Sequence, residues 1–319
     1  MPVGSDTLKR LVAAWPRRAT IRTDMAAYLE PAAYDPDLPD YPEQLIPFTA
    51  HPRYAEAPEE RRRLLGTLAW QAFNARVIAA EELVANPTFE MLAHGVFPGT
   101  ERYTVREAIQ QSHIDEVWHT YMHMTAMNRT QAARGLTDEP DYSYPVTNRR
   151  LFRLAGQAAE KWERDMLFLL WTVVGEVSFN AFLELFAREK EVQPAHALVA
   201  RLHARDEAAH GPVLASVIKE VFVHLNKEQR ALFTRTLPTA IEAFGAEDYE
   251  LWPDLFAAAG IEHAEEIIAD TRSAPGTGLL LTDFATVHRL VRELGIEDEV
   301  DYDFTHVSPR AATAQDGAP

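Results

Sequence analysis

Between Met166 and Phe186 the sequence reads MLFLLWTVVGEVSFNAFLELF, 21 residues whose only charges are Glu176, at the centre, and Glu184, near the end. A run of this length approaches the ~20 apolar residues that cross a bilayer. A carboxylate at mid-bilayer is costly, however, which favours a helix buried in a protein core. Glu176 must then find partners inside that core, because an unpaired buried carboxylate is too expensive to keep. Other helices therefore have to surround this one and bring chemistry that wants a buried acid.

The rest of the chain supplies such helices. A short one is expected near residues 7–14, followed by a wrapping segment rich in Pro, Asp and Tyr. Pro58 followed by Glu59 and Glu60 makes a good helix start. From there no breaker intervenes until Pro87. A long helix is expected over about 104–134, ended by Gly135. A very long pattern covers 148–189 and reads as two collinear helices, and another covers 195–225 with Pro212 as a kink. Shorter helices are expected near 227–244, 247–258, 261–271 and 282–294. No strand-period segment stands out. The expected fold is all-α: one ferritin-like helical bundle over residues 1–305 with additional C-terminal helices, and a disordered tail over 306–319.

Two of these helices carry related clusters, HIDEVWH at 113–119 and HARDEAAH at 203–210. Residues i and i+3 or i+4 share a helix face, so Glu116 pairs with His119 and Glu207 with His210. His203 projects within roughly 20° of His210 and joins that stripe, whereas His113 projects about 120° from His119 and does not. One Glu-x-x-H is an ordinary surface pair. Here each copy follows a helix bearing an isolated glutamate, Glu81 before the first and Glu176 before the second. The order Glu, Glu-x-x-His, Glu, Glu-x-x-His is the ligand pattern of dinuclear carboxylate bundles. Four carboxylates offset the charge of two iron ions and can bridge them, while neutral imidazoles leave positions open for O2. Asp115 and Asp206, beside the motif glutamates, suit acceptors for the distal N–H of a ligating histidine. Glu82 is expected to face solvent or pair with Arg.

Composition narrows the chemistry further. With no cysteine, metal must be held by His, Asp and Glu. The net charge of −17 argues against nucleic acid or an anionic membrane as partner. No secretory signal opens the sequence, so a cytoplasmic protein is expected. No Gly-rich dinucleotide fingerprint is present, so reducing equivalents must come from outside.

The segments NARVIAAEELVANPTFEMLAHGVFPG, DEVWHTYMHM, GEVSFNAFLELFAR and LHARDEAAHG resemble the non-haem diiron arylamine N-oxygenases of antibiotic biosynthesis, from about LVAAWPRRA to VDYDF. The resemblance implies the ligands Glu81, Glu116, His119, Glu176, His203, Glu207 and His210, the third histidine being particular to this family. It implies O2-dependent oxidation of an aromatic amine through hydroxylamine and nitroso stages towards nitro. It also implies two Fe ions, an electron donor of the ferredoxin/reductase type, and a homodimer. Phe73, Asn74 and Arg76, ahead of the first ligand, are expected near substrate, with Phe73 standing where p-aminobenzoate-oxidising members have Tyr. Arg76 projects about 140° from Glu81, so it either meets a substrate carboxylate or makes a structural salt bridge. The competing readings are another diiron oxygenase (C–H hydroxylase or desaturase), an iron store, and a radical-generating subunit with Tyr121 as its candidate.

Overall fold

The computed structural model describes residues 4–22, 34–137, 140, 142–178, 180–274 and 284–305. Among them the regular elements are helices: α1 (Gly4–Arg18), α2 (Pro52–Glu56), α3 (Glu59–Ala80), α4 (Asn86–Ala93), α5 (Tyr103–Arg134), α6 (Val146–Gln157) and α7 (Lys161–Ser178). They continue with α8 (Asn180–Ala187), α9 (Pro194–Phe222), α10 (Lys227–Gly245), α11 (Trp252–Ala259), α12 (Ala264–Ser273) and α13 (Ala285–Leu294). The expected disordered tail, 306–319, lies outside the described residues.

Two boundaries differ from the sequence reading for physical reasons. The helix starting at Glu59 does not end at Pro87 but passes through a π-helical turn, Glu81–Ala85, into α4. The Asn86 N–H donates to the Glu81 carbonyl, an i to i−5 bond. Pro87 then sits in the first turn of α4, where its missing N–H is not needed. The 148–189 pattern is broken into α6, α7 and α8 instead of two collinear pieces.

The core comes in two apolar clusters. One gathers α1, α4, the first half of α5, α7, the later half of α9, α10 and α13 around Phe89, Ile109, Trp171, Leu214 and Ile241. The other gathers α3, the later half of α5, α8, the first half of α9, α11 and α12 around Trp70, Met122, Phe186, Val199 and Phe256. Along α3, α5, α7 and α9 the two meet at a polar layer, described below. The stretch Lys161–Ala187 is apolar enough to cross a membrane, but 87% of its most apolar window is buried inside the fold, as a core helix should be.

The wrapping segment is pinned to the end of α5. The Arg134 guanidinium donates to Asp40 Oδ2 at 2.8 Å and to the carbonyls of Pro36 and Leu38 at 2.8 and 2.6 Å. Elsewhere helices approach at glycines. A Cβ on Gly211, the residue after His210, would lie 3.1 Å from the carbonyl oxygen of Glu176, so α9 and α7 approach backbone to backbone beside the polar layer.

Candidate metal centre

The polar layer holds Glu81, Glu116, His119, Glu176, His203, Glu207 and His210, each at most 8% exposed. Each is placed by its helix. Glu81 opens the π-helical turn, a distortion that recurs at functional sites because it re-aims one side chain without ending the helix. Glu116 and His119 project from the middle of α5, Glu176 from α7, and the stripe His203, Glu207, His210 from α9.

Two clusters of potential ligand atoms overlap here. Glu81, His119 and His203 form one, and Glu116, His119, Glu207 and His210 the other. His203 Nε2 lies 3.0 Å from Glu81 Oε1 and 3.4 Å from Glu207 Oε1. His210 Nδ1 lies 2.6 Å from Glu116 Oε1, 3.0 Å from Glu207 Oε1 and 3.6 Å from Glu176 Oε2. His119 Nδ1 faces Glu81 and Glu116 at 3.8 Å and Glu207 at 3.6 Å. Glu116 and Glu207 thus lie between a side with Glu81, His119 and His203 and a side with Glu176 and His210.

Both aspartates accept from the outer ring nitrogens, and they do so crosswise. His119 on α5 meets Asp206 of α9 through Nε2 at 3.2 Å, and His210 on α9 meets Asp115 of α5 at 3.1 Å. The N-terminal segment fixes both acids. Trp15 Nε1–H donates to Asp115 at 2.9 Å, the Thr20 N–H donates to Asp206 at 3.0 Å, and Arg18 lies 3.6 Å from Asp115 and 3.1 Å from Asp206. With its outer N–H donated, each imidazole faces the carboxylates through Nδ1, the atom that would give its lone pair to a cation once its proton has left.

Crowding of buried acids and imidazoles shifts the protonation of each. Burial, then the Glu116 and Glu207 charges, hold the Glu176 carboxyl well above the usual range. Burial also raises Glu81, against the pull of His203. At Glu207 burial pushes upward too, but His210 and His203 overcome it and hold the group well below its usual value. Burial lowers His119 and His210, yet hydrogen bonds and nearby carboxylates win and raise both. Three buried atoms, Glu116 Oε1, His119 Nδ1 and Glu176 Oε2, make no well-directed hydrogen bond among the described residues, Glu116 Oε1 despite lying 2.6 Å from His210 Nδ1. Orphaned atoms on ligand-type groups, facing one another without sulfur or lysine, are what a pair of oxygen- and nitrogen-preferring cations would satisfy.

A pocket with a cavity volume of about 50 Å³ lies beside Glu81, Glu116, Glu176, His203 and Glu207. Val77, Ala80, Val84, Trp171 and Phe244 give it apolar walls, and Arg76 and Asn148 are polar members of its lining. Burial lowers the Arg76 guanidinium, opposed by the charges of Glu247 and Asp248. Arg76 also lines a neighbouring chamber with Tyr41, Phe73, Tyr142 and Trp252. Of the three residues expected near substrate, Arg76 borders the pocket and Phe73 the outer chamber. Asn74 is turned away, with its amide N–H on the Trp70 carbonyl at 2.7 Å and its oxygen 2.7 Å from His123 Nδ1.

Other expectations resolve simply. Glu82 is exposed, His113 stacks on Phe89 outside the cluster, and Tyr121 is 59% exposed on the outer face of α5. Sequence reasoning passed over His123, whose Nε2 lies 2.9 Å from His203 Nδ1. Its signal was the i, i+4 spacing from His119.

Comparison with known proteins agrees. The family described as "P-aminobenzoate N-oxygenase AurF" matches residues 2–295. A protein of Streptomyces thioluteus named 4-aminobenzoate N-oxygenase is 44% identical over 303 residues, covering 95% of this chain and 90% of the relative.

Proposed function

The chain belongs to the p-aminobenzoate N-oxygenase family, and from that premise we propose that its polar layer holds two iron ions serving the O2-dependent oxidation of an aromatic amine. An N-oxygenase needs a metal site and an apolar pocket that share a wall. The observation that carries this reading is the convergence of four carboxylates and three imidazoles around three orphaned atoms, directly beside such a pocket.

When bound, the iron pair supplies reductive activation of O2, the source of the oxygen delivered to the amine nitrogen. The chain does the rest. Glu81, His119 and His203 would hold one ion and Glu176 and His210 the other, with Glu116 and Glu207 shared. Asp206 and Asp115 keep the outer N–H of His119 and His210 engaged, which fixes the tautomer of each ring. The apolar lining keeps bulk water from the amine and accepts the aromatic ring. Arg76 is suited to meet an anionic substituent at the far end of a small arylamine. With Phe73 in the adjoining chamber, no phenol hydroxyl stands at that position to share the anion.

Electrons come from an external carrier of the ferredoxin/reductase type, because the chain has no cysteine for an iron–sulfur centre and no dinucleotide motif. The setting proposed is cytoplasmic antibiotic biosynthesis. A homodimer is supported by α5, whose outer face exposes Ile114, Val117, Tyr121 and Met124 at helical spacing.

The test is metal analysis together with turnover. Purified protein should contain two irons per chain and, given reductant and O2, should convert p-aminobenzoate or a related arylamine to hydroxylamine and nitro products. Iron loading far beyond two per chain, or no N-oxidation across an arylamine panel, would overturn the reading.

A further inference from the structure

His119 and His210 are each backed by an aspartate, but His203 is not. Its outer nitrogen, Nδ1, lies 2.9 Å from His123 Nε2, and His123 Nδ1 lies 2.7 Å from Asn74 Oδ1. The Asn74 amide N–H is committed to the Trp70 carbonyl at 2.7 Å, so its oxygen is the atom left to accept. Hydrogen-bond direction then propagates along the chain of groups. His123 donates from Nδ1 to Asn74 and offers the Nε2 lone pair; His203 donates from Nδ1 to that lone pair, which leaves Nε2 as the atom it can give to a cation. Nε2 faces Glu81 Oε1, 3.0 Å away, inside the polar layer. His123 and Asn74 are fully buried, so no water competes for these bonds.

We infer that His123 and Asn74 are positioning residues that lock His203 as an Nε2 ligand and make it a weaker donor than its two aspartate-backed counterparts. A carboxylate acceptor pulls on an imidazole N–H and increases the ring's basicity, and a neutral imidazole pulls much less. The asymmetry falls on one side of the site. The side with Glu81 and His119 gains its second imidazole through this relay, and the side with Glu176 and His210 does not depend on it. The relay ends on an amide, which cannot pass a proton onward, so it orients His203 and conducts nothing.

The inference rests on the metal reading of the site, and cobalt(II) titration separates the two. Cobalt(II) has visible absorption in nitrogen and oxygen sites, and it reports binding without turnover. The wild-type protein should bind two ions. In His123→Leu, which removes the acceptor, one ion should bind as in wild type and the other ~10–100-fold more weakly. His123→Gln restores an acceptor oxygen in the same region and should recover most of that loss. Asn74→Ala, which leaves both rings in place, should weaken the same ion by a smaller factor and serves if His123→Leu does not fold. Wild-type binding of both ions by His123→Leu overturns the relay, and so does equal damage in Leu and Gln. Failure of the unaltered protein to bind two ions overturns the metal reading itself.

Discussion

His196 shows how one buried side chain sets a pH limit away from the metal layer. Its ring stacks on Trp70 at 4.0 Å, Nδ1 lies 3.0 Å from the Asp40 carbonyl and Nε2 lies 3.0 Å from Thr130 Oγ1. Burial drops this imidazole from 6.5 to about 4, outweighing Asp40. Between those values the unfolded chain binds a proton that the folded chain refuses. Stability therefore falls as pH drops through that interval and levels off below it, by up to about 3 kcal/mol. Denaturant melts at pH 7 and pH 4.5 should show a loss that His196→Gln reduces by about 2.4 kcal/mol, most of the full effect. An equal loss in both proteins would contradict the assignment. At this scale the seven residues of the polar layer were legible, as were Asp115 and Asp206 behind them, but the groups that hold those two acids were not. Glu176 stood out because an acid in an apolar run demands a reason. Trp15, Arg18 and Thr20 carry no motif, and they reach Asp115 and Asp206 across 100, 188 and 186 positions of sequence.

Among the elements, α7 and α9 make the contact on which the centre's spacing depends. Gly211 lets them meet where a Cβ would press on the Glu176 carbonyl, so Gly211→Val should force the helices apart at cost of ~1–3 kcal/mol. His210 and Glu176 would separate with them. Bound metal should fall below two ions per chain in this variant while far-ultraviolet circular dichroism stays helical. Full metal content would show that the site tolerates the shift. Helix existence was readable from periodicity and from Gly135, which ends α5 in the left-handed conformation at φ 65°. The π-helical turn was not readable. Local preference reads Pro87 as a stop, and only the packing of Glu81 inward and of Phe89 and Leu92 into the core selects continuation with one wider turn.

On the molecular scale, the chain carries −17 overall, yet the outer stripe of α5 from Ile114 through Val117 and Tyr121 to Met124 has no charge. An antiparallel copy of the same helix could cover it symmetrically, Val117 against Tyr121 and Ile114 against Met124. Light scattering should then give a dimer for the unaltered protein and a monomer for the double variant Val117→Glu and Tyr121→Glu, with metal content preserved because neither side chain faces the polar layer. A monomer in both cases would remove the dimer proposal.

The strap formed by Trp15, Arg18 and Thr20 has a temporal consequence. Thr20 leaves the ribosome 186 positions ahead of Asp206, the acid it must grip. A nascent chain thus carries half of the clasp long before the other half is made. A cation reaching the nascent chain would meet histidines free to turn, whereas one reaching the finished chain would meet His119 and His210 already held by Asp206 and Asp115.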